Sequence, residues 1–169
     1  MNEKELRNLQ IFIGKRPQDQ TDEMVIDHIK KIDLQTPLTQ DEWKKLLIPC
    51  CNNGMATILQ FALGNIAELD CVKDLMEHTV YGRNVKLSKK RITVLKILAE
   101  YLTDDEKEVV LSEIMLKAAW FGDTEVVKFL ICFGANRDYI NKNGLDLAKC
   151  AERVETQFKD TSLKEYILG

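Results

Sequence analysis

Two glycines 68 residues apart, Gly54 and Gly122, have matching flanks, and this internal repetition restricts the possible folds more than any other feature of the chain. Leu47-Ile48-Pro49-Cys50-Cys51-Asn52-Asn53-Gly54-Met55-Ala56-Thr57-Ile58-Leu59 aligns with Met115-Leu116-Lys117-Ala118-Ala119-Trp120-Phe121-Gly122-Asp123-Thr124-Glu125-Val126-Val127. In each, two small residues precede the glycine by four and three positions, and two aliphatics follow it by four and five. Between them, Thr93-Val94-Leu95-Lys96-Ile97-Leu98 lies 32 residues before Glu125-Val126-Val127-Lys128-Phe129-Leu130. A unit of 32 to 36 residues is one helix–turn–helix pair, too small to bury its apolar face alone, so successive units must stack.

The local signals agree with helices throughout. Leu6, Leu9 and Ile13 follow the helical period up to Gly14, with Arg16-Pro17 as a stop. Thr21 caps a second helix carrying Val25, Ile29 and Ile32. Thr39-Gln40-Asp41-Glu42 and Thr103-Asp104-Asp105-Glu106 have the capping-box form. The first of these boxes opens a helix expected to end near Pro49, because an interior proline removes a backbone donor. Met55–Leu63, Ala67–Val80, a helix capped by Ser88, a long helix to Phe121, another from Thr124 to Gly134, Leu145–Phe158 and Leu163–Leu168 complete the series. Arg83–Lys89 reads as an insertion between the helices of the middle unit. No period-2 strand stands out, and glycine (8) and proline (3) are too few for a many-turned β protein.

Residues 117–136, Lys-Ala-Ala-Trp-Phe-Gly-Asp-Thr-Glu-Val-Val-Lys-Phe-Leu-Ile-Cys-Phe-Gly-Ala-Asn, resemble the core of an ankyrin repeat. Paired alanines, an inter-helix glycine, Glu-Val-Val, paired aliphatics and a closing Gly-Ala-Asn all stand in order. Asn141-Lys142-Asn143-Gly144 resembles the opening of a following unit. The likeness is dense over 115–136 and thins elsewhere: Glu113-Ile114-Met115-Leu116 occupies the place of the family's Thr-Pro-Leu-His. The resemblance implies an all-α helical-repeat solenoid, an ankyrin-like stack of three to four helix–turn–helix pairs in one continuous domain. Residues 1–35 would form an N-terminal helical cap, 36–158 the repeats and 159–169 a C-terminal capping helix. It implies binding of another protein by a chain that is monomeric when free. The concave-face positions are Trp120, Phe121, Arg137, Asp138, Tyr139 and Ile140, expected as one contiguous patch.

Residue chemistry points away from catalysis. The chain has no HExxH, P-loop, GxGxxG, GxSxG or CxxC motif, so neither an enzyme nor a cofactor or metal site is expected. The five cysteines, Cys50, Cys51, Cys71, Cys132 and Cys150, sit among apolar residues and read as buried thiols kept reduced in a cytosol, that of a host cell if the chain is a secreted effector. No apolar run suits a membrane span or a secretory signal. A competing reading is a HEAT-like helical repeat that holds nucleic acid through Lys86-Leu87-Ser88-Lys89-Lys90-Arg91. The net charge of −3 opposes it.

Overall fold

The structure, a computed structural model, describes residues 1–15 and 20–169; the expected Arg16-Pro17 stop lies outside them. Ten α-helices follow in order: α1 Glu3–Gly14, α2 Asp22–Gln35, α3 Gln40–Asn53, α4 Ala56–Leu63, α5 Val72–Val80, α6 Ser88–Ala99, α7 Asp104–Trp120, α8 Thr124–Cys132, α9 Leu147–Phe158 and α10 Ser162–Leu168. A single 3-10 turn, Val85–Leu87, precedes α6. No strand occurs among the described residues, so the fold is all-α, and none of its helices is long and apolar enough to cross a membrane.

Packing follows chain order in two rows. The odd-numbered helices touch in succession, α1 on α3, α3 on α5, α5 on α7 and α7 on α9. The even-numbered helices do the same from α2 to α10, and α3–α4, α5–α6, α7–α8 and α9–α10 each close as a pair. Segments 1–35 and 159–169 therefore extend the rows, α1 and α2 at one end and α10 at the other. The core between the rows is aliphatic: Leu46, Leu47, Ile58, Leu59, Leu95, Leu98, Leu111 and Ile114 are fully buried. Cys50 and Cys51 on α3, like Ala118 and Ala119 on α7, are also fully buried. Their small side chains let neighbouring helices approach closely.

Helix starts match the capping chemistry unevenly. Thr39 and Glu42 form a complete box, and Thr21 accepts from Met24 N–H. Thr103 does not cap α7 through the backbone; its hydroxyl instead bonds the Glu106 carboxylate. Ser88 is not a cap but the first residue of α6, turned inward.

Two expected boundaries are displaced for identifiable reasons. Pro49 does not end α3, which runs on to Asn53. The missing Pro49 N–H would have served the Lys45 carbonyl, and Gln10 Nε2 from α1 donates to that oxygen instead at 2.9 Å. The helix expected over Ala67–Val80 starts only at Val72. Gln40 holds the preceding segment as a loop, donating to Asn65 O at 3.1 Å and accepting from Ala67 N–H at 2.9 Å.

Gly54 (φ 66°) and Gly122 (φ 75°) both turn the chain through the left-handed region, which costs a residue with a Cβ about 1–2 kcal/mol. At Gly54 a Cβ would also lie 2.5 Å from Lys90 Cβ and 3.2 Å from the Lys90 carbonyl carbon, whereas at Gly82 (φ 76°) it would meet nothing within 4 Å. Gly82→Ala should therefore lose only the conformational term. Gly54→Ala should lose about 1–3 kcal/mol more by urea denaturation. Equal losses would mean that α6 does not press on the α3–α4 turn.

Glu42 supplies a pH-dependent term. The 2.8 Å hydrogen bond from Thr39 N–H holds its carboxyl below the ordinary carboxylate range. Its contribution is present in full above the unfolded-state value of about 4.3 and is lost as pH falls through the lower folded-state value. Acid titration of thermal stability should be shallower in Glu42→Gln than in the parent; parallel curves would remove Glu42 from that role.

Candidate interaction surface

Four odd-numbered helices, α3, α5, α7 and α9, end in a common way: a side chain at or just after the helix end stands immediately before a residue of positive φ. These pairs are Asn53–Gly54, Tyr81–Gly82, Phe121–Gly122 and Phe158–Lys159, and Lys159 (φ 57°) is the one non-glycine to adopt that backbone among the described residues. Three of the four leading residues are aromatic. Because the odd helices pack in succession, these positions come together at one end of the row. Tyr81 and Phe121 meet edge-on, with centroids 5.3 Å apart. The Arg83 guanidinium lies 4.3 Å over the Phe158 ring, and that of Arg153 lies 4.0 Å over Trp120 and 5.5 Å over Phe158. Arg83 also donates to Asp160 at 2.7 Å, and Arg153 to the Trp120 carbonyl. Tyr81 remains 67% exposed, and Trp120 and Phe158 are each 38% exposed. The result is an aromatic–arginine cluster open to solvent.

A buried polar network supports it. Arg91, 1% exposed, donates to Asp123 Oδ2 at 2.9 Å and, through Nη2, to the carbonyls of Tyr81 at 2.9 Å and Gly82 at 3.0 Å. Ser88 Oγ donates to Asp123 Oδ1 at 2.6 Å, and Asp123 caps α8 by accepting from Val126 N–H. Arg91 Nε alone is without a partner. The run Lys86–Arg91 is thus not uniformly solvated: Ser88 and Arg91 face inward, while Lys86, Lys89 and Lys90 are exposed. Arg91 has no free guanidinium edge to offer a phosphate.

The six positions expected as one patch divide into separate places. Trp120 lines a groove of about 350 Å³ between α5, α7 and residues 141–145. Tyr139 reaches the same groove's wall, its hydroxyl donating to Glu113 at 3.4 Å, and burial raises its pKa. Lys73–Glu113 and Lys117–Glu77 ion pairs bridge α5 and α7 along that wall. Phe121 is half-buried beneath Tyr81. Arg137 departs altogether: it donates to the Ile167 carbonyl at 2.6 Å and lies 5.8 Å from the Tyr166 ring, docking α10. Asp138 belongs to a turn in which its N–H donates to Asn136 Oδ1, and Ile140 is 60% exposed. Trp120 and Tyr139 border one groove and Phe121 follows Trp120 in the chain, but Arg137 is drawn away from them, because its guanidinium donates to the Ile167 carbonyl of α10. Tyr81, Arg83, Arg153 and Phe158 belong to the surface instead. The signal for Tyr81 and Phe158 is their place at the ends of odd helices.

The cysteines also differ from expectation. Burial pushes the thiols of Cys51 and Cys150 up to about 12, and that of Cys50 higher still, so these three are inert. Cys71 is half-buried and Cys132 is exposed at the end of α8. Among the described residues no group of three or more His, Cys, Asp and Glu side chains is arranged to hold a metal ion.

Removing one member of a buried ion pair strands the other's charge, at about 3–5 kcal/mol. Asp123→Asn, which keeps a capping oxygen, should cost that much in chemical denaturation, and Arg91→Met combined with Asp123→Asn should recover part of it. A loss under about 1 kcal/mol would mean that the pair is solvated. No protein-family model, no curated protein and no solved structure matches this chain.

Proposed function

We propose that this chain is a protein-binding module, an ankyrin-like helical-repeat solenoid that holds a partner on the odd-helix side, and that it catalyses no reaction. Helix pairs packed in two chain-ordered rows support the solenoid reading. So does the recurrence of a left-handed residue at the end of α3 and α9, and one position further on after α5 and α7. Such a stack is a rigid platform whose free energy comes from contacts between neighbouring units, so its surface is preorganised and loses little entropy on binding.

The observation that carries the reading is the exposed cluster of Tyr81, Trp120 and Phe158 with Arg83 and Arg153. Trp, Tyr and Arg are the residue types that dominate binding hot spots, and large aromatics left half-open to water gain most from being covered. The groove beside Trp120 continues this surface along α5 and α7. Nucleic-acid binding is the weaker alternative, since Arg91 is committed inside and the chain is acidic overall.

Affinity purification from the producing cells, read by mass spectrometry, should recover a partner with the parent chain and lose it with Tyr81→Ala/Trp120→Ala. Once that partner is purified, each single substitution should weaken binding by about thirtyfold. Tyr81→Ala should melt within about 0.5 kcal/mol of the parent, because Tyr81 is mostly exposed. Undiminished recovery by the double variant would place the partner on another face.

A further inference from the structure

We infer that the segment this surface takes from its partner is acidic and carries an aromatic or large aliphatic anchor. The inference rests on the protein-binding reading above and names the chemistry of the ligand. Residues 81–99 contain six cations and no carboxylate. Arg91 is spent on Asp123, but Lys86 and Lys89 are exposed and form no ion pair among the described residues. They lie beside the cluster, because the first turn of α6 is tied to the Tyr81 and Gly82 carbonyls through Arg91 and to the residue after Gly122 through Ser88.

The two cluster arginines add to this charge. A guanidinium has five N–H donors. Arg83 has Asp160 as its acceptor and Arg153 has the Trp120 carbonyl, so each keeps donors for a further carboxylate. Both lie over aromatic rings and are tethered by a hydrogen bond, which restrains them before a ligand arrives. Asp160 pairs with Arg83 and Asp123 with Arg91, so the cations here with no ion pair among the described residues are Arg153, Lys86 and Lys89. In a chain of net charge −3, this end of the odd row thus carries unpaired positive charge. Aromatic rings edged with arginine donors fit carboxylates flanking an apolar side chain. They suit nucleic acid less well, since the guanidinium groups already occupy faces of Trp120 and Phe158 on which a base would stack.

Selection from a random dodecapeptide display library, with the full chain as bait, tests this directly. Enriched peptides should be net negative and contain an aromatic or large aliphatic residue. A synthetic copy of the most enriched one should lose affinity at least about tenfold on Arg153→Ala. Lys86→Glu/Lys89→Glu should have a comparable effect, and binding should weaken between about 50 and about 300 mM salt. Both variants must melt with the parent for the comparison to count, and Arg83→Lys replaces either that does not. A neutral or basic consensus, or an acidic one indifferent to these substitutions, overturns the assignment and leaves protein binding to another face. Failure to enrich any peptide also overturns it. If fluorescein-labelled oligothymidylate then binds, the protein-binding reading falls too; if it does not, that reading rests on the affinity purification alone.

Discussion

The Arg91–Asp123 ion pair connects parts of the chain that local structure would leave independent. One carboxylate caps α8, receives the Ser88 hydroxyl from the start of α6 and pairs with a guanidinium that also holds the Tyr81 and Gly82 carbonyls. Two successive helix pairs and the loop between α5 and α6 are thereby joined at a single point without water. Such a pair contributes little net stability against an apolar replacement of equal shape, but it tolerates no misalignment, because each displaced partner becomes a buried, unpaired charge. Its main effect is positional. It determines where the loop carrying Tyr81 and Arg83 leaves the body of the protein, and so where those side chains stand against Phe121 and Phe158.

Repetition converts this local anchoring into a surface. From α3 to α9 each odd helix is followed within two residues by a left-handed one, and the side chain before it stands at the same end of the row. Successive packing of α5, α7 and α9 then gathers Tyr81, Phe121 and Phe158, although 40 and 37 residues separate them in the chain. Arginine joins them: the Arg83 guanidinium lies over Phe158, and that of Arg153 lies over Trp120 and Phe158. On the even row cations also cover rings, Lys30 over Phe61, Lys96 over Phe129 and Lys128 over Tyr166. There Phe129 stacks on Phe133 at 5.1 Å with Lys107 over the second ring, but the cations over these two rings are flexible point charges without the planar donor edge of arginine.

Most of the helices were legible because their signals are local. Thr21, Thr39 and the Asp123-Thr124-Glu125 start are read within one turn, and Gly54 and Gly122 mark their turns because left-handed backbone favours glycine. The misreadings share a different cause. Pro49 lies inside α3 because a side chain 35 residues away serves the stranded carbonyl. Residues 67–71 stay outside the helix because Gln40, on another helix, accepts from the Ala67 N–H. Arg91 was grouped with solvated lysines, and Arg137 with Trp120, because charge and spacing do not reveal the partner across the fold. Phe158 escaped notice because Lys159, not glycine, adopts the left-handed turn after it.

By itself, then, the sequence determined the all-α class and the order of most helices, since apolar period, capping and backbone conformation act between residues a few positions apart. Tertiary structure alone decided which polar side chains are interior and which are exposed, because that depends on whether a distant partner compensates the loss of water. Asp123 supplies that compensation for Arg91, and among the described residues no carboxylate pairs with Lys86 or Lys89, which are exposed. It also decided that the aromatic ends of α5, α7 and α9 meet, while Arg137 turns to the α10 carbonyl. Contacts between helices tens of residues apart depend on how the rows pack, and no short window of sequence encodes that packing.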